Sequence, residues 1–146
     1  MPAKNFEHVF RFFQFQDPSG QSIWLPLVEV TLITSQNTPV LLSLLFDTGA
    51  TVTTLRAELY PMLGLQSWDQ GQRVSVATAG TVAVVDAYQY TFTLEIFDKT
   101  VDCPINLMQM PPNPLYHGLL GRDTIFNKFG FGFWESTHEL FVTTFP

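Results

Sequence analysis

Charge and cysteine are scarce in this chain of 146 residues. Only 14% of its residues are charged, 13 acidic against 7 basic, for a net charge of −6. No Lys/Arg cluster occurs anywhere, and phosphate neutralisation needs a basic footprint, so no nucleic-acid partner is expected. Cys103 stands alone, which leaves no disulfide framework within the chain and no cysteine metal cluster. Beside Pro104 it reads as a small core hydrophobe rather than a nucleophile, and a reducing, cytoplasmic setting is the expectation. Long apolar runs are missing too. The longest, Val40 to Phe46, has seven residues against about 20 needed to span a bilayer, so no membrane association is expected. The first eight residues, Met1 to His8, hold no apolar signal segment. His8, His117 and His138 have no mutual spacing that suggests a metal site, and neither metal nor cofactor is expected. No serine sits in a Gly-x-Ser-x-Gly context, so a serine hydrolase has no support.

What the chain has in quantity is apolar surface: 46% hydrophobic residues, 14% aromatic, with 14 Phe. Disorder is excluded on that composition. At this length a folded chain buries roughly 68–70% of its unfolded surface, enough for one ordinary domain over residues 1–146.

The patterning reads as β almost throughout. Phe6 to Gln16 and Gln21 to Leu25 flank Asp17-Pro18-Ser19-Gly20, a turn with Pro at its second and Gly at its fourth position. Leu27 to Thr34 and Val40 to Phe46 flank a polar break, and the nearly all-apolar return strand predicts cover on both faces. Arg73 to Ala77 and Val82 to Tyr90 enclose Thr78-Ala79-Gly80-Thr81, a third hairpin. Tyr90 to Phe97 alternates Thr91, Thr93 and Glu95 with Phe92, Leu94 and Ile96. Phe129-Gly-Phe-Gly-Phe-Trp134 is expected as a strand packed against another backbone. Helix is confined to a turn near Leu55 to Leu59, stopped by Pro61, and to Arg122 to Phe129. The reading is one all-β domain with one or two short helices.

Two stretches carry chemistry. In Leu44-Leu45-Phe46-Asp47-Thr48-Gly49-Ala50-Thr51 an acid directly follows an apolar strand, and an isolated buried carboxylate is strongly disfavoured unless it titrates, pairs or works. Thr48 supplies a hydroxyl and Gly49 permits a tight turn with its N–H near the carboxylate. Asp-Thr-Gly is equally a good loop opener, so the motif alone leaves both readings open. The second stretch, His117-Gly118-Leu119-Leu120-Gly121-Arg122-Asp123, places two apolar residues and a Gly before the better helix candidate.

The ordered pair, apolar-apolar-Asp-Thr-Gly-Ala and then apolar-apolar-Gly-Arg-Asp, resembles the retropepsin-like aspartic proteases, the single-domain relatives of pepsin. The likeness runs over roughly Leu25 to Phe133. It implies an acid-protease-like closed β-barrel, with residues 1–24 as an N-terminal hairpin extension and residues 25–146 as the protease core. It implies that Asp47 is the catalytic aspartate, that the Thr48 hydroxyl locks two active-site loops across a dimer axis, and that Gly49 hydrogen-bonds the substrate main chain. Ala50 completes the loop, Ala79 and Gly80 correspond to the tip of a flap, and Leu119, Leu120, Gly121 and Arg122 support the loop from behind. One departure stands out. The acid that usually follows Asp-Thr-Gly-Ala and pairs with the Gly-Arg arginine is Thr51 here, which leaves Arg122 without that partner and Asp123 as a substitute.

Aspartic proteolysis needs two carboxylates about 3 Å apart sharing a proton, and this chain offers one Asp-Thr-Gly. The resemblance therefore implies a homodimer acting on an extended peptide or protein, with apolar residues expected beside the scissile bond from Leu45, Val52 and Leu119. Two alternatives remain at this stage. One is a catalytically idle peptide-binding or dimerisation module of the same fold. The other is a β-barrel that binds a small apolar ligand, with Asp-Thr-Gly a mere turn.

Overall fold

The structure, a computed structural model, describes residues 5–78 and 82–146. Twelve strands are formed among them: β1 His8–Arg11, β2 Phe13–Gln16, β3 Ser22–Leu25, β4 Leu27–Ile33, β5 Pro39–Phe46, β6 Thr53–Arg56, β7 Gln72–Ala77, β8 Val84–Ile96, β9 Lys99–Met108, β10 Gly118–Leu120, β11 Phe129–Trp134 and β12 Glu139–Thr144. Helix is limited to one α-helical turn, α1 Ile125–Lys128, and 3-10 turns at Ala57–Leu59 and Glu135–Thr137.

The central sheet has seven strands in the order β4-β5-β10-β6-β9-β8-β7, with β4 also paired to β8. The chain of pairings from β4 through β5, β10, β6, β9 and β8 thus returns to β4. A three-stranded sheet, β1-β12-β11, packs alongside, and β2 and β3 form a separate hairpin. The core between them holds Val30, Leu32, Leu42, Leu44, Leu55, Leu94, Ile105, Leu107, Leu120, Phe129 and Val142, each at most 1% exposed. Cys103 is fully buried among them.

The abundance of Phe is spent on one cluster. Phe46, the last residue of β5, meets Phe131 at 4.6 Å and Phe133 at 4.8 Å, both edge-on, and Phe126 at 5.5 Å. Ring pairs at these separations add about 0.5–1.5 kcal/mol each beyond burial. They tie the end of β5 to the β11 sheet, and Asp47 is the next residue.

Several sequence expectations need refinement. The stretch Phe6 to Gln16 is two strands, because the chain changes partner at Phe12: β1 pairs with β12, whereas β2 pairs with β3. The Phe12 N–H instead donates to the His138 carbonyl, and its ring is buried. The return strand of the second hairpin is fully buried on one face only, with Ser43 and Leu45 on the other face half-buried. Leu42, Leu44 and Phe46 are buried while Leu41 is 62% exposed. The helix expected from Arg122 to Phe129 is a single turn. The Arg122 and Asp123 N–H groups donate to the Ala50 and Thr51 carbonyls, and Thr124 has φ 68°, so helix begins at Ile125. The alternation of Thr91 to Ile96 appears as expected, with Phe92, Leu94 and Ile96 buried.

Candidate active site

Strand β10 enters between β5 and β6, parallel to the first and antiparallel to the second. This threading builds the site, because it sets the loop after β5 against the loop after β10. The Asp47 N–H donates 3.1 Å to the Leu120 carbonyl, and the Ala50 N–H donates 3.2 Å to the Asp47 carbonyl. Arg122 and Asp123 donate to Ala50 and Thr51 at 3.0 and 2.7 Å. Behind them, the Gly121 N–H donates 3.0 Å to Thr53 Oγ1 in a fully buried position. Gly121 has no room for a side chain: a Cβ there would lie 2.4 Å from the Val52 carbonyl carbon. Its need is close backbone approach rather than an unusual φ.

Asp47 is half-buried, and its Oδ1 accepts a 2.9 Å hydrogen bond from the Gly49 N–H. Thr48 and Gly49 are exposed beside it. The carboxylate opens on a cavity of about 660 Å³ lined by residues of the Asp47 loop, by Leu119, by Thr54, Gln89, Asn106 and Met108, and by 74–78 from the β7 arm. Asp47 is the only acid among the described residues of that lining. The third hairpin therefore does wall the site along its β7 arm, while its expected tip, Ala79 and Gly80, lies outside the described residues. On the arm, Arg73 reaches Asp86 at 2.8 Å across the two strands. The pair is exposed and screened by solvent, so it adds little to the hairpin's stability.

The supporting residues divide. Leu120 and Gly121 are buried, Leu119 lines the cavity, and Arg122 is exposed. Among the described residues Arg122 makes no ion pair, and Asp123 does not stand in as its partner. Asp123 Oδ1 accepts from the Thr124 hydroxyl instead. The buried cation of this region is Arg56, 5% exposed at the end of β6. Its guanidinium donates to the Tyr116 carbonyl at 3.4 Å and to the Pro111 carbonyl, and lies 5.8 Å from the Tyr116 ring. Arg56 thus fastens the Pro-rich segment after β9 to the central sheet. His117 has a structural task, its Nδ1 accepting from the Ser43 N–H at 2.9 Å. Cys103 lies behind the site, its thiol pushed up to about 11 chiefly by burial, with Asp123 adding repulsion. It is inert at neutral pH.

Sequence reasoning did not find Thr53, Thr54, Arg56, Gln89 or Asn106. The one available signal was Asn106 inside the apolar run Pro104 to Met108, the same anomaly that exposes Asp47.

Residues 28–124 match the family model described as aspartyl protease. The chain belongs to the aspartyl protease family. Among solved structures, a retropepsin-like aspartic protease from Rickettsia conorii is 17% identical, with 93% of this chain and 98% of that chain covered and a TM-score of 0.53. Another is EIAV protease complexed with the inhibitor HBY-793, 21% identical over 70% of this chain and 86% of that one, with a TM-score of 0.49. No curated protein matches. The fold of this family member is retropepsin-like, mostly β in one small domain, as the Rickettsia likeness shows.

Proposed function

We propose that this family member is an active aspartic endopeptidase that works as a two-fold homodimer, with Asp47 supplied once by each protomer. The observation that carries the proposal is the cavity itself, whose described lining holds a single carboxylate, Asp47. One carboxylate is half of the required pair. A two-fold partner is the simplest source of the second.

In the pair, one Asp47 acts as base toward a water and the other, protonated, polarises the scissile carbonyl. Thr48, exposed at the loop's outer side, locks the two loops through its hydroxyl. Gly49 and Ala50 face the substrate main chain. The Gly49 N–H bond fixes the orientation of the Asp47 carboxylate before substrate arrives. The β7–β8 hairpin is the flap, with Ala79 and Gly80 at its tip, and its closure over an extended peptide excludes water. Leu119, Leu120, Gly121 and Arg122 hold the loop from behind. The return of the strand pairings to β4 supports the closed-barrel description. The β2–β3 hairpin supports residues 1–24 as an addition to a core of 25–146. A lone reduced Cys103 fits a cytoplasmic setting.

The test is incubation with an unfolded protein across about pH 4 to 7, with Asp47→Asn as control. Wild-type protein should cleave with a rate that falls on both sides of a mildly acidic optimum, because a shared-proton pair works only when singly protonated. Asp47→Asn should retain fold and dimer and lose hydrolysis. Ordinary activity in that variant would overturn the mechanism.

A further inference from the structure

We infer that Gln89 and Asn106 form a hydrogen-bonding subsite of the Asp47 cavity, selecting an amide or hydroxyl side chain at one substrate position set back from the scissile bond. This rests on the proteolytic reading above and adds to it what the groove selects.

The inference follows from register. Leu45 in β5 is opposite Leu119 in β10, Leu119 is opposite Thr54 in β6, Thr54 is opposite Asn106 in β9, and Asn106 is opposite Gln89 in β8. Residues directly opposite share a face of the sheet, and the last four all line the cavity. The row therefore changes character along its length. Its Leu119 end is apolar and adjoins the strand that delivers Asp47. Its other end is polar. With neighbouring strands about 4.8 Å apart, Asn106 stands two strands, roughly 10 Å, from Leu119. Alternate side chains of an extended peptide are about 6.6–6.8 Å apart, so a peptide side chain set against Asn106 is at least one alternate position removed from one set against Leu119.

The polar end has unused capacity. Gln89 Nε2 donates 3.0 Å to Asn106 Oδ1. A side-chain amide has two donor hydrogens and an acceptor oxygen with two lone pairs, so this bond leaves the Asn106 amide nitrogen and the Gln89 carbonyl able to engage further groups. Asn106 is only 5% exposed, and an amide costs more than Leu to bury unless its bonds are made. A substrate amide or hydroxyl completes them. An aliphatic side chain set against the pair would remove water and return nothing, which is the arrangement that discriminates most strongly.

The experiment digests an unfolded protein mixture with the full chain and maps the cut sites by mass spectrometry. Wild-type protein should show Asn, Gln, Ser and Thr enriched at one fixed position that does not adjoin the cut. For a peptide pair differing only as Asn or Leu there, kcat/KM should favour Asn by about tenfold. Asn106→Leu should abolish or invert that ratio while still cutting. Gln89→Met, at a half-buried position, should weaken it, and it carries the test if Asn106→Leu fails to fold. Cutting with the same preference in the folded variants, or an aliphatic preference at every position in wild type, would overturn the subsite and leave the protease reading intact. No cutting by wild type under any condition would overturn the protease reading, and the subsite with it.

Discussion

Two buried side chains near the Asp47 loop, Thr53 and Cys103, can be tested one at a time. Thr53 is fully buried, and its hydroxyl is the acceptor for the Gly121 N–H. Thr53→Val keeps the shape and removes that acceptor, leaving a buried donor unpaired at a cost of about 1–3 kcal/mol. Urea titration should show the loss, and Thr53→Ser should recover most of it. Cys103 gives a pH signature instead. Its thiol is raised in the folded state from an ordinary 9.0 to about 11, because burial penalises the thiolate. The folded chain therefore holds the proton more tightly than the unfolded one. The stability this confers is fully present below about pH 9 and is lost as pH rises toward about 11. Stability against urea measured from pH 8 to 11 should fall more steeply for wild type than for Cys103→Val, and thiol reagents at neutral pH should leave the native protein unmodified. At this scale Asp47 was legible in the sequence because an acid after Leu-Leu-Phe breaks a pattern. Thr53 was not, since a buried threonine looks like any strand residue until its hydrogen-bond partner, 68 positions away, is known.

Among the elements, β10 has the smallest margin. It is three residues long and lies between two strands from the first half of the chain. The glycine that opens it, Gly118, and the one that follows it, Gly121, are both there for backbone contact. A Cβ on Gly118 would lie 2.1 Å from the Thr54 carbonyl oxygen, and one on Gly121 would lie 2.4 Å from the Val52 carbonyl carbon. The nearest atoms in both paths are backbone. Gly121→Ala should destabilise by about 1–3 kcal/mol or more by pushing the two loops apart, and activity should fall further than stability, because the Asp47 N–H is bonded to the neighbouring Leu120 carbonyl. Parallel denaturation and rate measurements would show whether the two losses separate. The hairpins were readable from local patterns, since their turns and alternation are coded within a few residues. The threading of β10 between β5 and β6 was not readable from its three residues, and the family likeness placed them only behind the Asp47 loop. The helix at Arg122 to Phe129 was overestimated for a related reason: apolar spacing suggested about two turns, but Arg122 and Asp123 are bonded to the Ala50 and Thr51 carbonyls and Thr124 sits at φ 68°, so only the turn from Ile125 forms. Long-range pairing overrode local propensity.

The chain as a whole is acidic, small and aromatic-rich, and its terminal sheet leaves Val9, Phe10, Phe133 and Trp134 partly exposed. Phe133 packs on Phe46 at 4.8 Å, so this apolar surface reaches to within one residue of Asp47. A second copy seated on the Asp47 side would cover part of it and bring the exposed Thr48 of each chain to the other. An enzyme whose site is divided between two chains loses activity on dilution faster than in proportion to concentration, because the fraction assembled depends on protomer concentration. Rate against protein concentration should therefore curve upward at low concentration and become linear once dimers dominate, with the bend at the dissociation constant found by ultracentrifugation. In the proposed dimer, Thr48→Val would remove one cross-axis hydrogen bond per protomer, each worth about 1 kcal/mol once buried at the interface. The bend should move to about tenfold or more higher concentration, while the rate per assembled dimer changes far less. A strictly linear plot down to concentrations where sedimentation shows only monomer would mean that one Asp47 suffices, and the two-chain site would have to be abandoned.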